Sequence, residues 1–494
     1  MAWDPAFEVA FHPRTVAIVG VSRKPRTFDF LTNLQKAGFA GRIYPINPNA
    51  AHEEHRGLTF YPTLASVPEP IDLVMVTTPP DSVPGILEDC IAAGARNVHI
   101  FTAGFREVGD ERGIELERRV VEIAGWGGLR ILGPNCMGLQ VPASRLTTWE
   151  SLPEKSGSVA LITQSGGISG EFLRSSGRYG TYISKVISFG NAAVLGATDF
   201  LEYLASDPET KVICAYLEGV RDGSRFTSLV RQTNREKPVI IWKGGLTESG
   251  ARAVASHTGS LGGQTQVWDA FFRQTGAVRV HSLPEMLDVA MTFLYLRPFT
   301  GRRVAVMGVG GGNTVAGADV CARAGLEVPR LSDETVGKLR SFLPREGSII
   351  GNPLDLGVMN ADVTLLFRSL DPFIADPVID AVIFSIPVAG TVAPSVQQAM
   401  TQMHGDATRD DVSRVVATAV DDVLGFAREH QWGRKPLVLV LEAGGEGFSP
   451  GLRAVVQERM LKAGVPVYMS LERASRALSR FAQYHQYRAK AAED

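Results

Sequence analysis

His257 stands alone among small residues in the stretch ARAVASHTGSLGGQTQ. No metal-ligating side chain follows it at the third or fourth position, so the spacing of a helical metal site is absent. A lone histidine is most often a satisfied or solvated side chain. It can also act as a base or a nucleophile, and the rest of the chain must decide between these roles.

Two charged residues directly follow apolar runs that read as buried strands. Glu218 follows VICAYL and Lys243 follows VIIW. Ligands of open parallel sheets bind beyond the carboxyl ends of the strands, so both residues belong on the ligand side. A carboxylate there can hold an imidazole in one tautomer and stabilise its protonated form, although an exposed strand-end acid is the alternative. We interpret Lys243 as a solvated end-of-strand cation.

Two glycine-rich loops, TQSGGISGEF and GVGGGNTVAGADV, each join an apolar strand to a predicted helix. The first turn of a helix presents unpaired N–H groups and the positive end of a dipole, which favours anions. Glycine lets the backbone approach such an anion closely, but it also serves turn geometry alone. The candidate phosphate-binding residues are Ser165, Gly166, Gly167, Gly311, Gly312 and Asn313.

The elements that must position these residues alternate between short β-branched runs and longer amphipathic segments. This alternation predicts βαβ units around buried parallel sheets. One pattern, an apolar strand followed by glycines, recurs at 14–20, 157–167 and 302–313. We therefore expect three doubly wound α/β units, with domains over residues 1–145, 150–297 and 300–494.

In the first unit, polar groups again follow the predicted strands. Its GVSRKP turn lacks the GxGxxG dinucleotide fingerprint, although a nucleotide-sized ligand still fits this position. Arg23, Lys24 and Arg26 could meet the phosphates of such a ligand or be solvated surface cations. The other candidate binding residues are Gly20, Ser22, Asn47, Pro48, Thr78, Pro79, Thr102 and Ala103.

The bulk composition excludes several classes of protein. The 494 residues carry 50 basic and 52 acidic side chains, without a block of like charge that would indicate nucleic acid or a membrane surface as partner. The four cysteines lie far apart, so we expect neither a disulfide framework nor a zinc site. No signal peptide or membrane span is predicted, and we expect a reduced, cytoplasmic protein.

Read in order, seven motifs resemble the alpha subunit of the ADP-forming acyl-CoA synthetases, relatives of succinyl-CoA synthetase. They are GPNCMG, TQSGGISG, SFGN, YLEGVRDG, SHTGSLGG, MGVGGGN and GNPLDLG, and the resemblance covers essentially the whole chain. It implies an N-terminal Rossmann-like CoA-binding domain followed by two flavodoxin-like ligase domains. Asn135 in GPNCMG then joins the candidate CoA-binding residues.

The resemblance also assigns roles to the candidate residues. His257 matches the histidine that these enzymes phosphorylate, Glu218 matches the acid that orients it, and the two glycine loops begin the helices that hold the phosphoryl group. No metal site is implied on this chain. ATP or ADP and Mg²⁺ would be bound by an ATP-grasp beta subunit, in a hetero-oligomer with a dimer of alpha chains. The acyl group of the carboxylic acid substrate and the choice of ADP or GDP stay open.

One departure from the family keeps other functions in view. After GVS the family usually continues with a glycine-containing loop, whereas this chain has RKPRTFDF, with Phe28 and Phe30 adding bulk. A non-catalytic CoA-binding or regulatory protein with the same fold is therefore the main alternative. A nicotinamide-dependent dehydrogenase ranks last because its fingerprint is missing.

Overall fold

The computed structural model describes residues 5–22, 24, 27–153, 155–258, 264–308, 311–356, 363–387, 435–442 and 457–493. By its internal contacts the chain divides into two compact units. The first comprises residues 1–177 and 181–286, and the second comprises residues 178–180 and 287–494. The first unit contains two large sheets and the second contains one.

The first sheet is fully parallel, in the order β2-β1-β5-β6-β7. Every residue of β1 and β5 is buried, which explains the continuous apolar runs in the sequence. Its strands are β1 (Thr15–Val19), β2 (Arg42–Ile46), β5 (Leu73–Val76), β6 (Asn97–Ile100) and β7 (Arg130–Leu132), with a hairpin of β3 (Glu54–His55) and β4 (Leu58–Thr59). Its helices are α1 (Pro5–Phe11), α2 (Phe30–Ala37), α3 (Val83–Ala92) and α4 (Glu111–Gly127).

The second sheet has the order β13-β12-β11-β9-β10-β8, and only its edge strand β8 runs antiparallel. Its strands are β8 (Gly138–Gln140), β9 (Val159–Thr163), β10 (Ile183–Ser188), β11 (Val212–Leu217), β12 (Val239–Lys243) and β13 (Val278–Val280). The helices are α5 (Gly166–Ser176), α6 (Ala197–Ser206), α7 (Gly223–Thr233), α8 (Glu248–Thr258) and α9 (Thr265–Thr275), whereas most of α10 (Leu283–Tyr295) belongs to the second unit.

The sheet of the second unit is parallel, in the order β15-β14-β16-β17-β18. Its strands are β14 (Val304–Gly308), β15 (Leu354–Asp355), β16 (Ala381–Pro387), β17 (Leu437–Glu442) and β18 (Val467–Tyr468). The described helices are α11 (Gly311–Arg323), α12 (Asp333–Arg340), α13 (Val363–Ala375) and a long C-terminal helix, α14 (Leu471–Glu493). Residues 457–462 form a further helical segment.

The main parallel strands of all three sheets follow one spatial order. Numbered as they appear along the chain within each sheet, they lie as 2-1-3-4-5. Such a sheet has a switch point between its first and third strands, where the connections leave toward opposite faces and open a crevice. The expectation of three doubly wound α/β sheets is confirmed, and the sequence pattern at 14–20, 157–167 and 302–313 marks the first strand of each.

A buried ionic cluster anchors β10 inside the second sheet. The Lys185 side chain is fully buried, and its Nζ lies 2.9 Å from Asp207 Oδ2 and 2.6 Å from Glu209 Oε2. Thr210 donates a further hydrogen bond of 2.6 Å to Asp207. Since a buried carboxylate without its cation is strongly unfavourable, both partners are needed together.

Replacing Lys185 by Met should therefore lower the free energy of unfolding by about 3–5 kcal/mol, because Asp207 is left charged and buried. Urea unfolding followed by circular dichroism measures this loss. Arg118→Gln is the matched control, since Arg118 pairs with glutamates on the exposed face of α4 and should leave the urea midpoint unchanged. Equal midpoints for both variants would contradict this role of Lys185.

Candidate functional site

The switch point of the second sheet lies between β9 and β11. At the end of β9, Ser165 caps helix α5 by accepting a hydrogen bond of 3.3 Å from Ile168 N. The helix begins at Gly166, directly after this cap. Added to Gly166, a Cβ would lie 2.9 Å from Met137 Cγ, whereas at Gly167 it would meet nothing closer than Ser165 Oγ at 3.7 Å. Close packing explains the first glycine, but the described residues leave the second one unexplained.

Glu218 lies across this switch point, at the end of β11. Gln164, at the end of β9, accepts hydrogen bonds from Glu218 N at 2.6 Å and from Gly219 N at 3.0 Å. The Gln164 amide thus joins the ends of the two strands and fixes the backbone of Glu218. The sequence did not identify Gln164 as a site residue, although its place between the strand and the glycines of TQSGG was a usable signal.

The Glu218 side chain is 7 % exposed, so it is not the exposed strand-end acid of the alternative interpretation. Its Oε1 accepts a hydrogen bond of 3.3 Å from Tyr216 Oη. Its Oε2 is buried and has no hydrogen-bond partner among the described residues. A buried carboxylate oxygen is costly to leave unsatisfied, so this atom is suited to accept from a donor that binds or moves into the site.

His257 is the penultimate residue of α8. Its side chain and residues 259–263 lie outside the described part of the structure. Helix α8 lies beside the short 3-10 turn Arg106–Val108, which follows β6 of the first sheet. The pairing of His257 with Glu218 therefore stays a prediction.

Lys243 is buried, with 5 % of its surface exposed, so our interpretation of it as a solvated cation was wrong. Helix α9 covers the end of β12, and Lys243 Nζ lies 5.3 Å from the centre of the Trp268 ring. It donates a hydrogen bond to the Gly244 carbonyl. Burial lowers the pKa of Lys243 from its ordinary value to about 8, and the negative charge of Glu218 opposes this shift.

The predicted binding residues of the first sheet meet at its carboxyl edge. Thr102 donates a hydrogen bond of 2.6 Å to the Thr78 carbonyl, and Asn135 N donates one of 2.9 Å to the Thr102 carbonyl. Gly20, at the end of β1, has a φ of 95°. An added Cβ there would lie 2.7 Å from Thr78 Cγ2, so this turn requires glycine.

The remaining predicted residues also follow strands of the first sheet at its carboxyl edge. Asn47 donates a hydrogen bond of 3.0 Å to the Val21 carbonyl, and Pro48 begins the 3-10 turn that follows β2. Pro79 is the capping residue of the 3-10 turn that follows β5, and Ala103 lies in the loop that follows β6. Ser22 Oγ accepts a hydrogen bond of 3.1 Å from Lys24 N. Arg23 and Arg26 lie outside the described residues.

The two phenylalanines of the atypical loop belong to an aromatic group beside this crevice. Phe28 is 40 % exposed, and its ring lies 5.4 Å from that of Phe101 and 6.2 Å from that of Trp149. Phe30 is buried against Phe101. Phe28 and Phe30 also line a cleft with Gly20 and Ser22. The bulk that the sequence indicated is thus placed at the predicted CoA site.

A polar cluster between the loops of the two sheets in the first unit was not predicted. Asn191, in the loop after β10, donates a hydrogen bond of 2.9 Å to the buried Glu117 and another to Glu107. Glu107 also accepts from Gly104 N at 2.6 Å. The cluster fixes the turn against which α8 lies. The signal available in the sequence was that Asn191 ends SFGN, one of the motifs that carry the family resemblance.

In the second unit, α11 begins at Gly311, three positions after Gly308, the last residue of β14. The expectation that a helix closely follows this strand is confirmed. An added Cβ at Gly312 would meet nothing within 4 Å. The side chain of Asn313 lies outside the described part of the structure, so phosphate binding at this helix stays a prediction.

Comparisons with known proteins agree with a ligand crevice in the first sheet and a separate site at the switch point of the second. A family model described as a CoA binding domain matches residues 14–142, and one described as a succinyl-CoA ligase like flavodoxin domain matches residues 156–293. The alpha subunit of ADP-forming acetate–CoA ligase II from Pyrococcus furiosus is 37% identical over 385 residues, which are 78% of this chain and 82% of that protein.

Two further relatives extend over nearly the entire chain. The alpha subunit of ADP-forming acetate–CoA ligase I from Pyrococcus furiosus is 31% identical over 98% of this chain and 99% of its own length. A structure of dinucleotide-forming acetyl-coenzyme A synthetase 1 from Ca. Korarchaeum cryptofilum, in complex with phosphate and ADP, covers 99% of this chain and 98% of its own, with a TM-score of 0.80 and 29% identity. The chain spans 50 to 54% of the length of three other ADP-forming acetate–CoA ligases, which are longer proteins.

Proposed function

The chain belongs to the family of ADP-forming acyl-CoA ligases, as an alpha subunit, and from this premise we propose that it works through a phosphohistidine at His257. The reaction joins a small carboxylic acid to CoA at the expense of ATP and releases ADP and phosphate. The family is one of acid–thiol ligases, which favours the catalytic reading over the non-catalytic CoA-binding alternative. Acetate is the acid in the names of several relatives and is the first substrate to test.

One observation carries the proposal: Glu218 and the start of α5 face each other across one switch point. A carboxylate with an unpartnered buried oxygen lies on one strand end, and a capped helix N-terminus with an open Gly167 lies on the neighbouring one. The first can orient an imidazole and stabilise its positive charge, and the second can hold a phosphoryl group. The two together suit transfer of phosphate to a histidine.

In the thioester-cleaving direction the proposed chemistry has three reversible steps. Phosphate attacks the thioester carbonyl, the C–S bond breaks, and acyl phosphate and CoA form. A nitrogen of His257 then attacks the phosphorus, the P–O bond to the acyl group breaks, and the free acid leaves. Finally the phosphoryl group passes from His257 to ADP. A nucleophilic imidazole thus divides a transfer between two distant sites into two displacements.

We further propose the surroundings in which this chain acts. The crevice at the end of β1 takes CoA, in a domain over residues 1–145, and the phosphoryl chemistry belongs to domains over 150–297 and 300–494, with α11 as a second phosphate-binding helix. An ATP-grasp beta subunit binds ATP or ADP with Mg²⁺, in a hetero-oligomer with a dimer of alpha chains. The described part of the chain contains no helix long and apolar enough to cross a membrane.

Intact-mass spectrometry tests the proposed function directly. The purified chain is incubated with acetyl-CoA and phosphate, then with a panel of other acyl-CoAs. An acid-labile phosphate adduct that maps to His257 is the expected result, and the responding thioester identifies the acyl group. If no adduct forms with any acyl-CoA, or with ATP and the beta subunit, the proposal fails.

Gly167→Ala probes phosphate binding at α5. The added methyl group fits the described structure, since its nearest neighbour would lie 3.7 Å away, and alanine suits a helix better than glycine. Stability should therefore be unchanged or higher, whereas an anion held by the backbone would meet the methyl group. We expect the KM for phosphate to rise about tenfold or more, a loss of roughly 1.4 kcal/mol in binding.

Gly177→Ala is the matched control for this variant. Gly177 lies at the other end of α5 with helical dihedral angles, and an added Cβ would meet nothing within 4 Å. It should keep the wild-type KM for phosphate. An equal, unchanged KM in both variants would show that phosphate does not approach the start of α5.

A further inference from the structure

Phe28, Phe101 and Trp149 form an aromatic patch at the carboxyl edge of the first sheet. The Phe28 ring lies 5.4 Å from that of Phe101 and 6.2 Å from that of Trp149. Phe101 and Trp149 are half-buried and pack against the core, whereas Phe28 is 40 % exposed. The patch thus holds three rings together and leaves part of their apolar surface in contact with water, which is unfavourable. An apolar group of a ligand would complete this packing.

The aromatic patch belongs to the crevice that we assign to CoA. Phe28 lines the cleft beside Gly20, at the end of β1. Phe101 follows the last residue of β6 and directly precedes Thr102, another of the predicted CoA-binding residues. The patch therefore lies at the same strand ends that gather the predicted CoA-binding residues, and a thioester bound in the crevice has it nearby.

Trp149 connects the aromatic patch with helix α5. A Cβ added to Gly170 would lie 2.7 Å from Trp149 Cη2, so the indole packs directly on the helix backbone at this glycine. The buried Asn33 of α2 fixes the same segment with a hydrogen bond of 2.8 Å to the Thr148 carbonyl. Gly170 lies four positions after Gly166, which is about 6 Å along the helix axis. The patch thus lies close to the helix start at which we propose that phosphate binds.

The start of the neighbouring helix α2 is already occupied by an acid. Asp29 caps this helix and accepts a hydrogen bond of 3.1 Å from Thr32 N, so a carboxylate holds the place that an anionic ligand would take. Arg56 Nη1 lies 2.5 Å from Asp29 Oδ2 and balances its charge. Lys24 lines the same cleft and suits a phosphate of CoA. The surroundings of Phe28 itself therefore suit an uncharged, apolar group.

We propose that the aromatic patch is the pocket for the acyl group and that this chain acts on carboxylic acids that carry an aromatic ring, such as an arylacetic acid. The inference rests on the proposed function, which requires the thioester carbonyl to lie between the CoA crevice and the start of α5. The patch joins the same two places, with Phe28 in the crevice and Trp149 on α5. A ring on the acyl group gains apolar burial and an edge-to-face or offset contact with Phe28, which an acetyl group is too small to make.

Isothermal titration calorimetry of the full chain with acetyl-CoA and phenylacetyl-CoA tests the pocket without requiring turnover. We expect the wild type to bind phenylacetyl-CoA about tenfold more tightly than acetyl-CoA, because only the aryl group contacts the patch. Phe28→Ala should remove most of this preference and leave the Kd for acetyl-CoA within about twofold of the wild-type value. Phe28→Tyr keeps the ring and should retain the preference.

Trp126→Ala is the matched control for the loss of an exposed aromatic ring. Trp126 is 65 % exposed near the end of α4, and β7 begins shortly after it, so it lies at the opposite, amino edge of the first sheet. This variant should bind both thioesters as the wild type does. The Tm of Phe28→Ala should also stay close to that of the wild type, because an exposed side chain contributes little to stability. A large fall in Tm with equal weakening of both ligands would make Phe28 a structural residue and overturn the inference.

Two further results would overturn the acyl pocket. One is a wild-type chain that binds phenylacetyl-CoA no more tightly than acetyl-CoA. The other is a Phe28→Ala variant that weakens both thioesters equally at an unchanged Tm, which would assign the ring contact to the adenine or another shared part of CoA. The phosphohistidine assay separates these failures from that of the proposed function. If Phe28 sets a preference for phenylacetyl-CoA but no acyl-CoA yields phosphohistidine, the proposed function fails. If phosphohistidine forms and Phe28→Ala leaves the preference unchanged, only the acyl pocket is wrong.

Discussion

His257→Ala should abolish phosphoryl transfer. Without the imidazole there is no nucleophile to receive the phosphoryl group, and loss of a covalent nucleophile lowers turnover by about four orders of magnitude or more. The acid-labile mass adduct should disappear, and so should acyl-CoA-dependent formation of ATP from ADP in the presence of the beta subunit. Acyl phosphate formation precedes the histidine step, so slow release of CoA should persist. This split places the defect at His257 rather than at the binding of the thioester.

His281→Ala is the matched control for this variant. His281 directly follows β13 at the same carboxyl edge of the second sheet, and it is exposed. The control should therefore keep both the adduct and turnover. Retention of an acid-labile adduct in His257→Ala would refute the assignment of the nucleophile.

Glu218→Gln should slow phosphohistidine formation between about 100-fold and 10,000-fold, the range in which an orienting carboxylate acts on a catalytic histidine. The amide keeps the shape of the side chain but loses the negative charge. Its NH₂ group can also take the place of Oε2, the buried oxygen that has no partner among the described residues. Stopped-time mass spectrometry gives the rate, and the KM for acyl-CoA should change little because we propose that the CoA portion binds in the crevice at the end of β1.

Tyr216→Phe tests whether charge or packing explains this loss. It removes the 3.3 Å hydrogen bond to Glu218 and leaves the carboxylate in place. A hydrogen bond to a charged group contributes about 1.5–3 kcal/mol, and this one is long at 3.3 Å, so the rate should fall by only about tenfold. If E218Q and Tyr216→Phe slow the reaction equally, the charge of Glu218 has no special role.

The sequence predicted the strand ends of the site well, for a physical reason. Parallel strands place their carboxyl ends at one edge of a sheet, so polar residues that follow apolar runs must gather there. Glu218, Gly166 and Thr102 were identified by that rule, and each lies at the expected edge. The alternation of predicted strands and helices was likewise enough to predict three doubly wound α/β sheets.

Contacts between distant segments could not be predicted in the same way. Lys243 is buried because Trp268 of α9, 25 positions later, covers the end of β12. Asn191 was missed because β10, ISKVIS, carries serines and a lysine among its apolar residues and does not read as a buried strand. The charge of Lys185 is tolerated there through Asp207 and Glu209, whose positions depend on the whole fold.

The antiparallel strand β8 has a consequence for any attempt to divide the chain. β8 pairs with β10, the long and wholly buried strand that would otherwise form one border of the second sheet. The unpaired N–H and C=O groups of an uncovered border strand are a template for intermolecular pairing. A fragment begun at residue 150 would leave that border uncovered and be prone to self-association. Residues 138–140, which follow the first sheet in the chain, thus cover the border of the second sheet and protect it from aggregation.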